Sequence, residues 1–416
     1  MRILFFCQYF PPEMGAPAAR TFEHARHWVK LGHDVTVVCA KPNHPTGVIP
    51  SRYRGGLLHR ETVEGIDVLR CWLFATPNAG VIRRSLSFIT FMLSAIFFAT
   101  FAARKRYDVV VATSPQLLCG LAGYVVACVK RRPFVLEVRD LWPRQIIDLG
   151  TLRSPVIIGV LRWLERFLYR HARVIVAVAD ATRDHIVAGG IPDAKVCTIT
   201  NGIDEDFFRP HDRMTPVRTA YGWGDGLVVL YIGTHGLSQG LHTVLNAADR
   251  LRNREDLHFV LVGSGAERRK LMRYAKELGL PRVTFLPPQP KEEMPDFYTA
   301  ADICLVPLRK LDVFLLNIPS KMFEIMACGR PIVLGVEGQA KRLLEAARAG
   351  IAVEPENPAA LADAIETLAD NPDLREQYGR RARDHVVAHY SRRQKAEDYV
   401  ACLERVVSGN ADGCRH

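Results

Sequence analysis

Residues 227–263, LVVLYIGTHGLSQGLHTVLNAADRLRNREDLHFVLVG, contain two apolar runs separated by a helical pattern. The runs 227–232 and 258–262 have the length and the β-branched content of buried strands, and a glycine follows each. Between them, residues 241–251 carry the apolar spacing of an amphipathic helix. A strand–helix–strand unit of this kind predicts a parallel sheet covered by helices on both faces.

The same alternation continues along the rest of the chain. A helix is predicted from about Ala18 to Leu31, and strands are predicted at 2–6, 35–39, 68–72, 109–112, 134–138, 174–178, 196–199, 283–286, 303–306, 332–334 and 351–353. We therefore predict an α/β protein with two Rossmann-like domains that face one another across a cleft, into which the carboxyl ends of the strands open.

The turn-forming pair Asn201-Gly202 marks the border between these domains. The expected N-terminal domain is 1–200 and the expected C-terminal domain is 201–390. The segment 391–416 holds a last helix, predicted over 392–407, which we expect to pack back towards the N-terminal domain.

Composition excludes several protein classes. Of the 416 residues, 48% are hydrophobic and 24% are charged, which is typical of globular proteins and excludes disordered and collagen-like chains. The ten cysteines are widely spaced and form no CxxC pair, so neither a disulfide framework nor a zinc knuckle is indicated. The first residues lead directly into a strand pattern without a cleavable signal, and we expect a cytoplasmic protein.

The net charge of +11 is concentrated in the first half of the chain. Residues 1–200 contain 26 Lys and Arg against 14 Asp and Glu, whereas residues 201–416 contain 29 against 30. This asymmetry indicates an anionic partner for the first half. A basic surface that serves solubility alone remains an alternative.

The uncharged segment 85–103, SLSFITFMLSAIFFATFAA, indicates which anionic partner this is, because arginines and a lysine flank it on both sides. A transmembrane span is not expected, since the segment leads directly into the predicted strand 109–112 of the same sheet. We predict a helix that lies on the cytoplasmic leaflet, and the basic, aromatic helix predicted at 160–173 supports this interpretation. A wholly buried core helix is the alternative. Nucleic acid is not expected, because the basic residues form no stripe.

The densest chemical motif is IPSKMFEIMACGRPIVL at residues 318–334. Ser320 is a predicted N-cap, Gly329 suits the position after the helix, and Pro331 stops it, so the helix spans about two turns. Its N-terminus and Lys321 are candidates to bind a pyrophosphate, and Glu324 is a candidate to accept hydrogen bonds from two ribose hydroxyls. A solvated Lys321–Glu324 pair is the alternative.

Together with Asn201-Gly202, the Gly233 and Gly240 loop and the glycines after residue 262, this motif resembles the family 4 glycosyltransferases, which have the GT-B fold. Within the family, residues 137–143 (EVRDLWP) and 319–321 (PSK) are similar to bacterial O-antigen and capsule transferases of the L-fucosamine type. The resemblance implies a retaining transfer from a nucleoside-diphosphate sugar, with no metal and no cofactor. It implies a donor on the C-terminal domain and a polyprenyl-diphosphate-linked acceptor on the N-terminal one.

The chain departs from the family pattern at four positions, and one of them is Arg139, where the family often has a histidine before Asp140. Leu316 stands where the family has the first glutamate of an acidic pair, and Thr234 and Gln239 replace the usual arginine and lysine that bind the pyrophosphate. We expect Lys321, helix amides and His235 to share that work. The predicted donor-binding residues are Gly15, Gly233, His235, Gln239, Ser320, Lys321 and Glu324.

Asp140 is the predicted catalytic carboxylate, because it follows the predicted strand 134–138 at its carboxyl end. There it would orient or deprotonate the acceptor hydroxyl. An ion pair of Asp140 with Arg139 or Arg144 that only holds the loop is the alternative.

The expected function is transfer of a sugar to a lipid-linked acceptor in the biosynthesis of a cell-surface polysaccharide. The expected donor is a UDP-sugar, and a 2-acetamido sugar is one option for the sugar that is transferred. Two alternatives stay open. A nucleotide-sugar epimerase uses a similar double-domain frame without a lipid, and a non-catalytic membrane-bound assembly protein would explain the missing family residues. The donor base and sugar, the acceptor, the linkage and the oligomeric state are left open by the sequence.

Overall fold

The computed structural model of the protein describes residues 1–13, 16–44, 46–77, 81–148, 150 and 152–409. The chain divides into two units. The second unit is the continuous segment Gly202–Ser391, and the first combines Met1–Asn201 with the last helix of the chain.

The first unit contains a sheet of eight strands in the order β3-β4-β2-β1-β5-β6-β7-β8. Its strands are β1 (Arg2–Phe6), β2 (Asp34–Ala40), β3 (Leu58–Val63), β4 (Ile66–Cys71), β5 (Val109–Ser114), β6 (Phe134–Val138), β7 (Val174–Ala177) and β8 (Val196–Thr198). Its first helices are α1 (Ala16–Lys30), α2 (Val81–Phe101), α3 (Leu117–Lys130), α4 (Arg144–Asp148), α5 (Pro155–His171) and α6 (Asp180–Ala188). The central strand β1 is parallel to both neighbours, with Phe5 opposite Val37 and Val111.

The edge strand β3 was not predicted, and it is antiparallel to β4. The two strands form a hairpin whose turn is Glu64-Gly65, both in the left-handed region with φ of 46° and 81°. A two-residue loop with positive φ at both positions has the backbone twist that an antiparallel hairpin needs.

The second unit contains a sheet of six strands, all parallel, in the order β11-β10-β9-β12-β13-β14. Its strands are β9 (Leu227–Ile232), β10 (Leu257–Val262), β11 (Val283–Leu286), β12 (Ile303–Pro307), β13 (Ile332–Gly335) and β14 (Gly350–Ala352). Its helices are α7 (Pro216–Ala220), α8 (His242–Arg250), α9 (Arg268–Glu277), α10 (Met294–Ala300), α11 (Lys321–Ala327), α12 (Gln339–Ala347), α13 (Pro358–Asp370) and α14 (Pro372–His389). Short 3-10 turns occur at Ser51–Tyr53, Asp193–Lys195, Leu237–Gln239, Lys291–Glu293 and Asp312–Leu316.

The last helix, α15 (Arg392–Val407), contributes to the core of the first unit. Tyr399 packs edge-on against Trp28 of α1, with ring centroids 5.1 Å apart. The Trp28 indole Nε1 donates a hydrogen bond of 3.0 Å to the carbonyl of Ala396. Aromatic pairs of this geometry add about 0.5–1.5 kcal/mol beyond the apolar area that they bury.

The fold class predicted from the sequence is confirmed, since each unit is a parallel-rich sheet connected by helices. The apolar runs of the central strands are buried, as in the continuous buried segment of β5, whereas the edge strand β14 is half-buried throughout. In parallel sheets the carboxyl ends of the strands carry the loops that bind ligands, so the residues that follow β6, β9 and β10 are candidates for a functional site.

Candidate functional site

The loops that follow β9 and β10 pack backbone against backbone. Gly233 ends β9 with a φ of 148°, and a Cβ atom on Gly263 would lie 1.9 Å from the Gly233 carbonyl oxygen. A Cβ on Gly233 itself would lie 2.7 Å from the ammonium nitrogen of Lys321. Both positions therefore require glycine, and Gly233 leaves the space in which the Lys321 side chain lies.

Lys321 is the first residue of α11, and its ammonium group is buried. Its Nζ atom forms no hydrogen bond with Glu324 or any other described residue, and it lies 4.1 Å from the ring centroid of Tyr231. Burial lowers the pKa of Lys321 from its ordinary value of 10.5 to about 7, while Glu324 acts in the opposite direction. The alternative of a solvated Lys321–Glu324 pair is therefore wrong, and the site presents a buried cation whose stabilisation comes from an aromatic face.

Glu324 lies one turn further along α11, and its carboxylate is oriented by a tyrosine. The hydroxyl of Tyr298, on α10, donates a hydrogen bond of 2.8 Å to Glu324 Oε2. Tyr298 is buried, and this burial, together with the nearby Glu324, raises the pKa of its phenol. Tyr298 was not predicted from the sequence, since it joins Glu324 only through the packing of α10 against α11.

Gln239 lies in the wall around Lys321. Its Oε1 atom is 3.1 Å from the hydroxyl of Tyr231, which also lies 2.8 Å from the carbonyl oxygen of Thr234. Gly240 follows in the left-handed region at a φ of 58°. The residues Tyr231, Gly233, Gln239, Lys321 and Glu324 are called the Lys321 site below.

His235 is completely buried beside this site, and its backbone fixes the loop. Its amide donates to the carbonyl of Ser264 at 2.8 Å, and its own carbonyl accepts from Glu267 at 2.9 Å. Burial lowers the pKa of His235 to about 4, and Arg268 and Lys321 act in the same direction. The imidazole is neutral at pH 7, so the expected sharing of positive charge by His235 is not supported.

Ser320 precedes α11 but does not cap it, so the predicted N-cap is wrong. Its backbone is already helical, with φ −58° and ψ −30°, and its side chain makes no capping hydrogen bond. Its carbonyl accepts from the amide of Phe323 at 3.2 Å, as within a helix. The predicted length of two turns is confirmed, and Gly329 follows the helix at a φ of 65°.

In the first unit, Asp140 is the second residue after β6 and is half-buried. Burial raises the pKa of its carboxyl, and the neighbouring Arg139 acts in the opposite direction. Arg144, the other candidate ion-pair partner, lies 3.5 Å from Asp148 and 3.3 Å from the His185 ring. Gly15, predicted to bind the donor, lies outside the described residues.

A buried ion pair, missed by the sequence analysis, lies at the same end of β6. Arg20 Nε donates to Glu137 Oε2 at 3.0 Å, and both side chains are buried. The rest of the Arg20 guanidinium donates to the carbonyls of Ile199 and Thr200, each at 2.9 Å. Thr113 donates to the other oxygen of Glu137 at 3.0 Å. This network ties α1 to the carboxyl ends of three strands, close in sequence to Asp140.

The helix α2 exposes an apolar face. Arg83–Phe101 is the one stretch among the described helices that is long and apolar enough to cross a membrane. Only 22% of the most apolar part of this stretch is buried in the protein. The alternative of a wholly buried core helix is therefore wrong. Every fourth residue from Ser87 to Ala99 is buried, whereas the apolar face is formed by Leu86, Ile89, Leu93, Phe97 and Phe101.

The helix α5 carries a second set of exposed apolar side chains. The helix α3 packs against both α2 and α5. On α5, Val156 and Trp163 are 74% and 64% exposed, and Ile157 and Val160 are exposed beside them. Contiguous exposed apolar surface of this kind marks an interaction site in a soluble protein.

Comparison with known proteins matches both units. Residues 218–385 match the family described as glycosyl transferases group 1, and residues 15–202 match the glycosyl transferase 4-like domain. The D-inositol 3-phosphate glycosyltransferase of Corynebacterium jeikeium (strain K411) is 30% identical over 359 residues, which cover 80% of each chain. The Escherichia coli (strain K12) protein WcaI, assigned as a colanic acid biosynthesis glycosyl transferase, is 26% identical over 88% of this chain and 91% of its own length.

Solved structures share the fold over almost the whole chain. Sucrose-phosphate synthase from Thermosynechococcus elongatus has a TM-score of 0.78 at 18% identity, with 98% of this chain and 99% of that chain covered. Alr3699/HepE of Anabaena, in complex with UDP and glucose, has a TM-score of 0.73 at 18% identity, covering 97% and 99%.

Proposed function

Because the chain belongs to the group 1 glycosyltransferases, which have the GT-B fold, we propose that it is a retaining enzyme that transfers a sugar from a UDP-sugar to a lipid-linked acceptor. The product would be part of a cell-surface polysaccharide. The similarity to WcaI, assigned to colanic acid biosynthesis, supports this product class, and the UDP and glucose bound to HepE support the donor.

The observation that carries the proposal is the buried ammonium of Lys321. A cation in this environment is costly unless an anion is brought to it, because burial removes its hydration. The diphosphate of a nucleotide sugar supplies that anion, and it gains charge as the glycosidic bond to the sugar breaks. Lys321 would therefore stabilise the leaving group more strongly in the transition state than in the ground state.

Glu324 would bind the ribose of the same donor. The hydroxyl of Tyr298 orients its carboxylate through Oε2, and an ionised carboxylate has about four acceptor sites, which suits a pair of vicinal hydroxyl groups. Gln239 and Tyr231 would order the wall around Lys321 through their mutual hydrogen bond. In this arrangement Lys321, which reaches the site from α11, takes the role of the lysine that the family has at the position of Gln239.

Asp140 would act on the acceptor hydroxyl. A carboxyl whose pKa is raised by burial is a better proton acceptor near neutral pH than an exposed aspartate. In this role Asp140 takes the proton that the hydroxyl loses as it bonds to the anomeric carbon. Because the configuration is retained, the hydroxyl bonds on the face from which the nucleoside diphosphate leaves, and the diphosphate takes the bonding pair of the sugar–phosphate bond with it.

We further propose that the first unit lies on the cytoplasmic face of the plasma membrane. The apolar face of α2 and the exposed residues of α5 would enter the interface, and the arginines at 83 and 84, exposed at the start of α2, would meet anionic headgroups. A lipid-linked acceptor is presented at this surface, which is why a transferase of this kind benefits from being held there.

The proposal is tested first by donor binding. Lys321→Met should weaken UDP binding about 10- to 150-fold, the equivalent of roughly 1.5–3 kcal/mol for hydrogen bonds to a charged group. The matched control is Lys341→Met on α12, since Lys341 is half-exposed and pairs only loosely with Glu345 at 3.8 Å. Equal UDP affinity in the two variants would remove Lys321 from the donor site.

Turnover then separates the proposed reaction from its rivals. The transferase should release UDP only when a polyprenyl-diphosphate sugar is supplied, and it should not interconvert donor sugars. Donor conversion without an acceptor would instead support an epimerase. UDP binding without turnover on any lipid-linked acceptor pool would support a non-catalytic assembly protein.

A further inference from the structure

A cavity of about 620 Å³ lies in the second unit at the amino ends of its strands. Its wall includes Leu227 at the start of β9, Asp302 just before β12 and Pro331 just before β13, with α14 along one side. The Lys321 site is at the opposite, carboxyl end of β9. Six strand residues separate the two places, a distance on the order of 20 Å.

Arginine is the dominant residue of this cavity, and four of its five arginines have partners. Arg213 forms a two-point ion pair with Asp302, at 2.6 and 3.1 Å. The others with partners are Arg375, which donates to the carbonyls of Leu368 and Ala369, Arg380, which lies 3.7 Å from Glu376, and Arg383, which donates to the carbonyls of Glu205, Phe208 and Ala327. These four guanidinium groups therefore interact with carboxylates and carbonyl groups of the protein itself.

Arg330 is the exception. Its guanidinium makes no hydrogen bond and no ion pair with any residue that the structure describes, and its Nε atom is buried. Burial lowers the pKa of Arg330, and Arg213 acts in the same direction, while Cys304 and Asp302 act in the opposite one. A half-buried arginine whose buried Nε atom has no partner costs free energy that the fold could avoid with a neutral residue.

The backbone around Arg330 is held firmly. Gly329 precedes it in the left-handed region and Pro331 follows it. A Cβ atom on Gly379 of α14 would lie 2.1 Å from the Gly329 carbonyl oxygen, so the end of α11 and α14 are in direct backbone contact. This part of the cavity wall is therefore built by close packing of the backbone.

We propose that this cavity binds a small anion with a phosphate group, and that the Arg330 guanidinium is its main ligand. A planar guanidinium matches two phosphate oxygens, which makes arginine a preferred phosphate ligand in proteins. The volume lies in the range of small-molecule sites. The site is separate from the Lys321 site and does not depend on the transfer reaction.

The test uses inorganic phosphate as the probe and the full-length Lys321→Met variant as the background, so that phosphate cannot bind at the Lys321 site. Saturating phosphate should raise the melting temperature of Lys321→Met by about 3 °C or more, relative to sodium chloride of the same ionic strength. No rise in this protein, which retains Arg330, would overturn the proposal.

Arg330→Met in the same background identifies the ligand residue. It should abolish the phosphate-dependent rise and, in phosphate-free buffer, raise the melting temperature, because a partly buried charge without a partner is removed. The matched control is Arg380→Met at the exposed rim, which should leave the rise intact. A lower melting temperature without phosphate, together with an unchanged rise, would show that Arg330 is structural and overturn the assignment.

Discussion

The lowered pKa of Lys321 makes donor binding a proton-linked event. In the free protein the Lys321 pKa is about 7, so at pH 8 about nine-tenths of the side chains are neutral. A bound diphosphate returns the pKa towards the ordinary value of an amine. Binding of UDP should therefore take up about 0.9 proton at pH 8, about 0.5 at pH 7 and about 0.1 at pH 6.

The uptake is measured by isothermal titration calorimetry in two buffers of different ionisation enthalpy, such as Tris and HEPES. Other groups contribute little at pH 8. The terminal phosphate of UDP, with a second pKa of about 6, is already ionised, and His235, whose pKa is about 4, stays neutral there. Lys321→Met, assayed at concentrations that suit its weaker binding, should show almost no uptake. Equal uptake by the wild type and this variant, or none by the wild type, would refute the reasoning.

The same group links stability to pH in the free protein. Because the folded pKa of Lys321 lies below the unfolded value of 10.5, the unfolded state binds the proton more tightly. Between pH 7 and 10 the difference in the free energy of unfolding between the wild type and Lys321→Met should therefore rise with pH. The buried cysteines, whose raised pKa values have the opposite effect near their unfolded value of 9.0, are common to both proteins and cancel in this difference. Urea unfolding of the wild type and of Lys321→Met at several pH values measures this dependence.

Three further predictions concern the other parts of the site. Glu324→Gln should raise the donor KM about 10-fold with a smaller effect on kcat, because one acceptor of the ribose hydroxyls loses its charge, as steady-state kinetics would show. Asp140→Asn should lower kcat at least about 100-fold with UDP affinity unchanged in calorimetry, since general base catalysis is worth about 100- to 10,000-fold. Serine at Leu93, Phe97 and Phe101 together should reduce co-sedimentation with phosphatidylglycerol vesicles several-fold, because apolar burial in the interface is lost.

Each of these predictions has a control on an exposed position of similar chemistry. Glu345→Gln on α12 should leave KM unchanged, and Asp148→Asn on α4 should leave kcat unchanged. Serine at Met214, Met272 and Val387, exposed apolar residues of the second unit, should leave vesicle binding unchanged. If a control variant and its test variant behave alike, the corresponding role is not supported.

The sequence allowed most of the fold to be predicted, because buried parallel strands are continuous apolar runs punctuated by glycine and proline. The strand pattern at 227–232 and 258–262 matches β9 and β10 almost residue for residue. The edge strand β3 was missed because it is mostly polar between Leu58 and Val63. The Glu64-Gly65 pair was the only local indication of a hairpin turn between β3 and β4, and it is a weak indication because glutamate rarely adopts a positive φ.

The candidate site was predictable only in part. The positions of Lys321 and Glu324 on a short helix followed from local signals, namely Gly329 and Pro331 beyond its end. The environment of Lys321 did not follow, since Tyr231 reaches it through tertiary packing from a strand far away in sequence. For the same reason the burial that keeps His235 neutral could not be inferred from its position in the loop after β9.

The position of α15 in the core of the first unit determines when that unit can complete its folding during synthesis. Tyr399, Cys402 and Leu403 belong to the core of the first unit, yet they are synthesised after the whole of the second unit. The second unit is one unbroken segment and has all its strands and helices as soon as Ser391 leaves the ribosome. The core of the first unit therefore lacks its α15 layer over Trp28 until the second unit has been synthesised.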